Sequence, residues 1–108
     1  MSFPKKPRWE CKKLRDSAAH AGDCMGQGPT CTGGSRNDIC WRHSNSQRHG
    51  KGMGVKAHDL FGFYGCQACE DFFVGLSKVE AHGFFLAAWE RSMILACEMG
   101  AIPTGPKG

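Results

Sequence analysis

The sequence has no run of about 18 apolar residues, so it contains no candidate membrane span. Its first residues, Met1-Ser2-Phe3-Pro4-Lys5-Lys6, are basic with no apolar stretch behind them, which argues against a secretory signal. There is no internal repeat. Seven cysteines is an odd number, and with no signal to accompany them it speaks against a disulfide framework. A reduced compartment, the cytoplasm, with thiolates held on a metal is the expected setting. The 108 residues suit one domain. A domain this small buries a modest fraction of its surface, so a metal staple is in keeping with its size.

The formal charge is +4, unevenly spread. Residues 1–15 carry a net +5 and residues 36–56 a net +4, whereas Asp59 to the end carries −3. Two basic segments ahead of a mildly acidic half suit a polyanion such as DNA. A basic tail and a solvated loop are the plainer alternative.

The expected organisation is a flexible basic arm over 1–13, a folded domain over 14–102 and a disordered tail over 103–108. Pro4 and Pro7 interrupt any helix in the arm. Leu14 to Ala21 reads as a short helical turn, and Gly22 to Gly34 as a knuckle-like loop. Asn37 to His43 and Leu60 to Tyr64 read as strands, separated by a Gly- and Ser-rich loop. Helices are expected over Cys69–Leu76 and Lys78–Met99. The second carries Phe85, Leu86, Trp89, Met93, Leu95 and Ala96 on one side, with Gly100 at its C′ position. The fold class is α+β, a small zinc-stabilised ββα core with an added C-terminal helix.

Cys66-Gln67-Ala68-Cys69 is a pair spaced for one ion at the head of a helix, where backbone amides stabilise thiolate charge. Cys24 and Cys31 are separated more widely, but a proline and two glycines let that loop fold back. Four thiolates make a closed, structural zinc site. The alternatives are a redox pair, which wants a βαβ context missing here, or small buried hydrophobes. Of the rest, Cys40 is expected to point into the core, Cys97 to pack from the last helix, and Cys11 to be free in the arm.

His43 stands at the end of the first strand, where the backbone fixes it better than a loop would. A neutral imidazole there can take a proton from water. Arg42, Asn45, Arg48, His49, Lys51 and Lys56 are the candidate nucleic-acid contacts, with glycines between them that admit close backbone approach. Asp59 and Glu70 could hold Mg²⁺ or Mn²⁺ beside His43. Equally, Asp59 could cap a turn, and Glu70 or Asp71 could favour a helix N-terminus. Phe72, Phe73, Phe84 and Phe85 either fill the core or leave a patch for a homodimer through the last helix.

Leu14-Arg15-Asp16-Ser17-Ala18, the Cys24 and Cys31 pair, His43 with the Gly50–Gly54 loop, Lys56-Ala57-His58-Asp59 and Gly65-Cys66-Gln67-Ala68-Cys69-Glu70-Asp71 together resemble a family of small bacteriophage and prophage proteins regarded as nucleases. Trp89-Glu90-Arg91-Ser92 through Gly100-Ala101-Ile102 is similar to that family's last helix. The family resembles HNH endonucleases of the treble-clef, ββα-metal type. The resemblance implies zinc on the two cysteine pairs, His43 as general base, Asp59 in the orienting position where Asn is usual, DNA as partner, and the cytoplasm of an infected bacterial host. Glu70 stands where the pattern's metal-binding final His would be. Arg42 stands where a further metal ligand often precedes the first His. A non-catalytic zinc-stabilised DNA-binding or phage recombination accessory protein is the alternative.

Overall fold

The computed structural model describes residues 11–44 and 58–102, and residues 1–10 of the arm, the tail and the loop carrying Asn45, Arg48, His49, Lys51 and Lys56 lie outside the described residues. The element order is α1 (Lys12–Asp16), a 3₁₀ turn (Ser17–His20), β1 (Cys40–His43), β2 (Gly62–Gly65), α2 (Gln67–Val74) and α3 (Lys78–Glu98). This is a small α+β domain, and no helix among the described residues is long and apolar enough to cross a membrane.

β1 and β2 form an antiparallel pair with Cys40 opposite Gly65, Trp41 opposite Tyr64, Arg42 opposite Phe63 and His43 opposite Gly62. Side chains alternate between the faces of a strand, so Phe63 and Arg42 share one face and Trp41, Tyr64 and His43 the other. The core divides accordingly. On the first face Phe63 packs with Cys24, Cys66, Cys69, Phe73, Phe85 and Ala88, and on the second Trp41 and Tyr64 pack with Leu14, Ala18, Ala96 and Ala101. α3 is long enough to serve both clusters, through Phe85 and Ala88 near its start and Ala96 near its end.

β2 is buried along its whole length, so its outer edge needs partners. Ser92 of α3 supplies one: its hydroxyl accepts from the Tyr64 N–H at 3.0 Å and donates to the Ala88 carbonyl at 2.7 Å. The Met25 N–H supplies the other, donating to the Tyr64 carbonyl at 2.7 Å. The first knuckle and the last helix are thereby tied to one strand.

α3 begins at a capping box, in which the Ser77 side chain accepts from the Glu80 N–H and donates to the Glu80 carboxylate. It ends in a Schellman turn. Gly100 has φ 69°, its N–H donates to the Cys97 carbonyl, and the Ala101 N–H reaches the Ala96 carbonyl. Only a residue without Cβ takes that φ at no steric cost, which is why the helix stops there.

Several expectations shift. The helical turn starts at Lys12 rather than Leu14, inside the segment read as arm. β1 starts at Cys40 rather than Asn37, because Asn37 has φ 53° and the Asp38 carboxylate turns away to accept from the Gln67 N–H. α2 starts at Gln67 rather than Cys69, with Cys66 as its N-cap. On α3 the buried positions are Phe85, Ala88, Ser92 and Ala96, whereas Leu86 is 38% exposed. Cys40 and Cys97 are exposed, contrary to the core positions expected of them. Cys40 shares the Phe63 face but lies beyond the packed core, and Cys97 falls on the solvent side of α3. Phe73 and Phe85 are buried, and Phe72 and Phe84 pack edge-to-face at 5.4 Å, so these aromatics build the core.

Gly62 is a tight junction in the hairpin. A Cβ there would lie 2.5 Å from Trp41 Nε1 and 2.9 Å from the Arg42 carbonyl oxygen. Trp41 could yield only by breaking its own hydrogen bond to the Asp59 carbonyl. We expect Gly62→Ala to destabilise the domain by about 2 kcal/mol, read from chemical denaturation, whereas Gly83→Ala on open helix surface should stabilise it by up to about 1 kcal/mol.

Candidate functional site

The four cysteines converge. Sγ atoms of Cys24, Cys31, Cys66 and Cys69 all lie within 4.8 Å of one another. A tetrahedral zinc with four sulfurs at about 2.3 Å would set them about 3.8 Å apart, so small closure brings them onto one ion. Cys24, Cys66 and Cys69 are buried and Cys31 is half-buried, the environment of a closed site with no open coordination position.

The backbone is arranged for negative sulfur. Cys24 Sγ accepts from the N–H groups of Gly26 and Cys66 at 3.3 and 3.2 Å. Cys69 Sγ accepts from Gly28 at 3.5 Å and Cys31 Sγ from Gly33 at 3.3 Å. Two features of the first knuckle make this possible. Gln27 sits in the left-handed region at φ 51°, which reverses the chain between the two glycines. Gly26 lies so close to Cys69 that a Cβ would stand 3.0 Å from its sulfur. Arg91 of α3 then fixes the knuckle from behind, donating from Nε to the Met25 carbonyl at 2.8 Å and from Nη2 to the Gly26 carbonyl at 3.0 Å.

Without a cation Cys24, Cys66 and Cys69 ionise unequally. Burial pushes the Cys24 and Cys69 thiols up. At Cys66 burial is outweighed by interactions with Thr32 and the neighbouring cysteines, and the thiol comes down to about 6. Four thiolates this close repel one another, and a dication at their centre removes that cost. Sulfur donors in a closed tetrahedron select a soft or borderline metal such as zinc.

On the other face of the hairpin, His43 Nε2 lies 2.7 Å from Asp59 Oδ1. Asp59 is fully buried, and its second oxygen accepts from the Cys11 N–H at 2.7 Å and lies 2.9 Å from Arg15 Nε. The arginine contact is an ion pair rather than a directed hydrogen bond. Burial alone would raise the pKa of Asp59. The hydrogen bonds from His43 and Cys11, with the positive charges of Arg15 and His43, outweigh it and hold the carboxyl below its ordinary value. Asp59 is therefore an ionised acceptor, and the tautomer of His43 that donates to it from Nε2 presents Nδ1 as its acceptor nitrogen.

The remaining expected residues are placed as follows. Glu70 lies in the first turn of α2, with Oε2 buried and lacking a hydrogen-bond partner. Burial raises its pKa, Arg42 lowers it in part and Asp71 raises it further. Arg42 is spent on the backbone, donating from Nε to the Gly65 carbonyl at 3.0 Å and from Nη2 to the Asp38 carbonyl at 3.1 Å. The strand pleat assigns Arg42 and His43 to different faces, so the ionic neighbourhood of Glu70 is that of Arg42. Among the described residues the only group of three or more His, Cys, Asp or Glu side chains set to hold a metal ion is the four-cysteine cluster. An unpaired Glu70 oxygen would suit Mg²⁺ or Mn²⁺, but one carboxylate beside an arginine is not an oxygen-ligand set for either. Cys11 and Arg15, neither expected at a site, both contact Asp59. A cation four residues after a cysteine carries no sequence signal for that contact.

The ligand set makes a direct prediction. Replacing Cys11, Cys40 and Cys97 together with Ser should leave one bound metal per chain by elemental analysis. Replacing Cys24, Cys66 or Cys69 with Ser, or treating the native protein with a strong chelator, should abolish stoichiometric metal and the cooperative thermal transition. Compared with known protein families, with curated proteins and with solved structures, the chain matches none of them.

Proposed function

We propose that this chain is a zinc-stabilised endonuclease of HNH-like, treble-clef type that hydrolyses phosphodiester bonds of DNA, acting in the cytoplasm of an infected bacterial host. The observation that carries the reading is the 2.7 Å contact between His43 Nε2 and a fully buried, ionised Asp59. A buried carboxylate aimed at one ring nitrogen fixes the tautomer and orientation of a general base.

In this reading His43 Nδ1 takes a proton from water. The resulting hydroxide attacks phosphorus, the bond to the 3′ oxygen breaks, and that oxygen leaves with a proton from solvent. Asp59 holds the imidazole and stabilises its protonated form. Zinc on Cys24, Cys31, Cys66 and Cys69 keeps β2 and α2 in register and takes no part in the chemistry. The basic residues of 1–15 and 36–56 other than Arg15 and Arg42 engage the phosphate backbone, which gives affinity with little base specificity. The Mg²⁺ or Mn²⁺ expected near Glu70 finds no assembled set of ligands among the described residues, and no step is assigned to it.

A second reading, a non-catalytic zinc-stabilised module that binds DNA or assists phage recombination, is favoured by Arg42 lying beside Glu70. Plasmid nicking with Mg²⁺, with Mn²⁺ and with EDTA separates the two. We expect nicking by the wild type. His43→Ala should lower it by at least about 100-fold with metal content and melting temperature retained. A His43→Ala protein that nicks at the wild-type rate removes the mechanism. Salt-sensitive binding with no nicking in any metal supports the second reading.

A further inference from the structure

Asp59 receives more than its contact with His43 needs. Its Oδ2 takes both the Cys11 N–H at the head of α1 and the Arg15 side chain one turn on. The Arg15 side chain is 39% exposed while its Nε is buried against the carboxylate. The cation therefore faces a group sealed from water, where its charge counts for more than on open surface.

We infer that Arg15 is a positioning residue for His43: its guanidinium anchors Oδ2 of Asp59 so that Oδ1 stays aimed at Nε2, and its charge offsets part of the carboxylate's pull on a proton at the imidazole. This rests on the reading of His43 as the base. It adds that α1, which lies ahead of both cysteine pairs in the chain, is part of the site. The geometry is divided between the two oxygens. Without Arg15 the carboxylate loses the ion pair that anchors Oδ2, and more of its charge bears on His43.

The groups around this carboxylate are Arg15 from α1, Cys11 ahead of α1, His43 from β1 and His58 immediately before Asp59 in the chain. Trp41 adds an uncharged donor, from Nε1 to the Asp59 carbonyl at 2.7 Å. α3 reaches the adjoining residue through Trp89, whose Nε1 donates to the Leu60 carbonyl at 2.9 Å and carries no charge. Lys12 and Asp16 pair with each other on the exposed side of α1. Arg15 is thus the only permanent cation recorded on the carboxylate among the described residues.

The test follows the His43 ring by nitrogen-15 NMR across pH in the metal-loaded protein, for the wild type and for Arg15→Gln, Arg15→Met and Arg15→Lys. Gln and Met both remove the charge while keeping the stem, so loss of fold in one leaves the other to decide. Removing the cation leaves Asp59 more effective at stabilising imidazolium, so His43 should lose its proton at higher pH in both variants. Arg15→Lys, which keeps the charge, should titrate close to wild type. In plasmid cleavage the neutral variants should lose about tenfold in kcat with KM within about twofold, and their acid limb should move to higher pH. An unchanged His43 titration in the neutral variants overturns the inference, as does a rise in KM with kcat unchanged, which would make Arg15 a phosphate contact. The ring titration needs no activity, so a wild-type protein that cleaves nothing removes the nuclease reading and leaves this inference to its own result.

Discussion

Four thiolates gathered at the junction of a loop and a helix repel one another unless a cation shares their charge. This constraint governs the structure. The sulfur cluster joins residues 35 to 45 positions apart in the sequence, Cys24 and Cys31 to Cys66 and Cys69. It sits where an apolar core would otherwise have to close a short two-stranded sheet. The amides of Gly26, Gly28, Gly33 and Cys66 all point at sulfur, and Arg91 braces the knuckle that presents two of them. These are devices for holding negative charge, and they have no purpose around four neutral buried thiols.

The hairpin separates the sulfur cluster from the His43–Asp59 pair. One face carries Phe63 and the cysteine cluster, and the other carries Trp41, Tyr64 and His43. A metal held on the first face would fix the strand from which His43 projects on the second, without competing for the imidazole. α3 keeps the two faces together, because Ser92 closes the edge of β2 while Phe85 and Ala96 enter opposite clusters. The same division sets Glu70 and Arg42 with the sulfur side, away from the His43–Asp59 pair.

Much of this was legible in local sequence. The two-residue spacing of Cys66 and Cys69, the strand-like Cys40–His43 and the glycine that ends α3 are short-range signals, and each lies where its chemistry puts it. Ser77-Lys78-Val79-Glu80 carries a further one, since a serine three residues before a glutamate marks where α3 must start. What sequence did not disclose depends on long-range contacts. Asp59 reads either as a turn cap or as a partner of His43, and only the fold adds Cys11 and Arg15 to it. Arg42 reads as a nucleic-acid contact until two backbone carbonyls claim its guanidinium. Cys40 and Cys97 look like core residues because cysteine usually is one, yet both face outward.

The most direct test of the account is X-ray absorption at the zinc edge on the reduced, metal-loaded protein. Convergence of the four sulfurs on one ion predicts a first shell of four sulfur scatterers at about 2.3 Å, with no nitrogen or oxygen neighbour. A shell with fewer than four sulfurs, or with light-atom ligands among them, would contradict it.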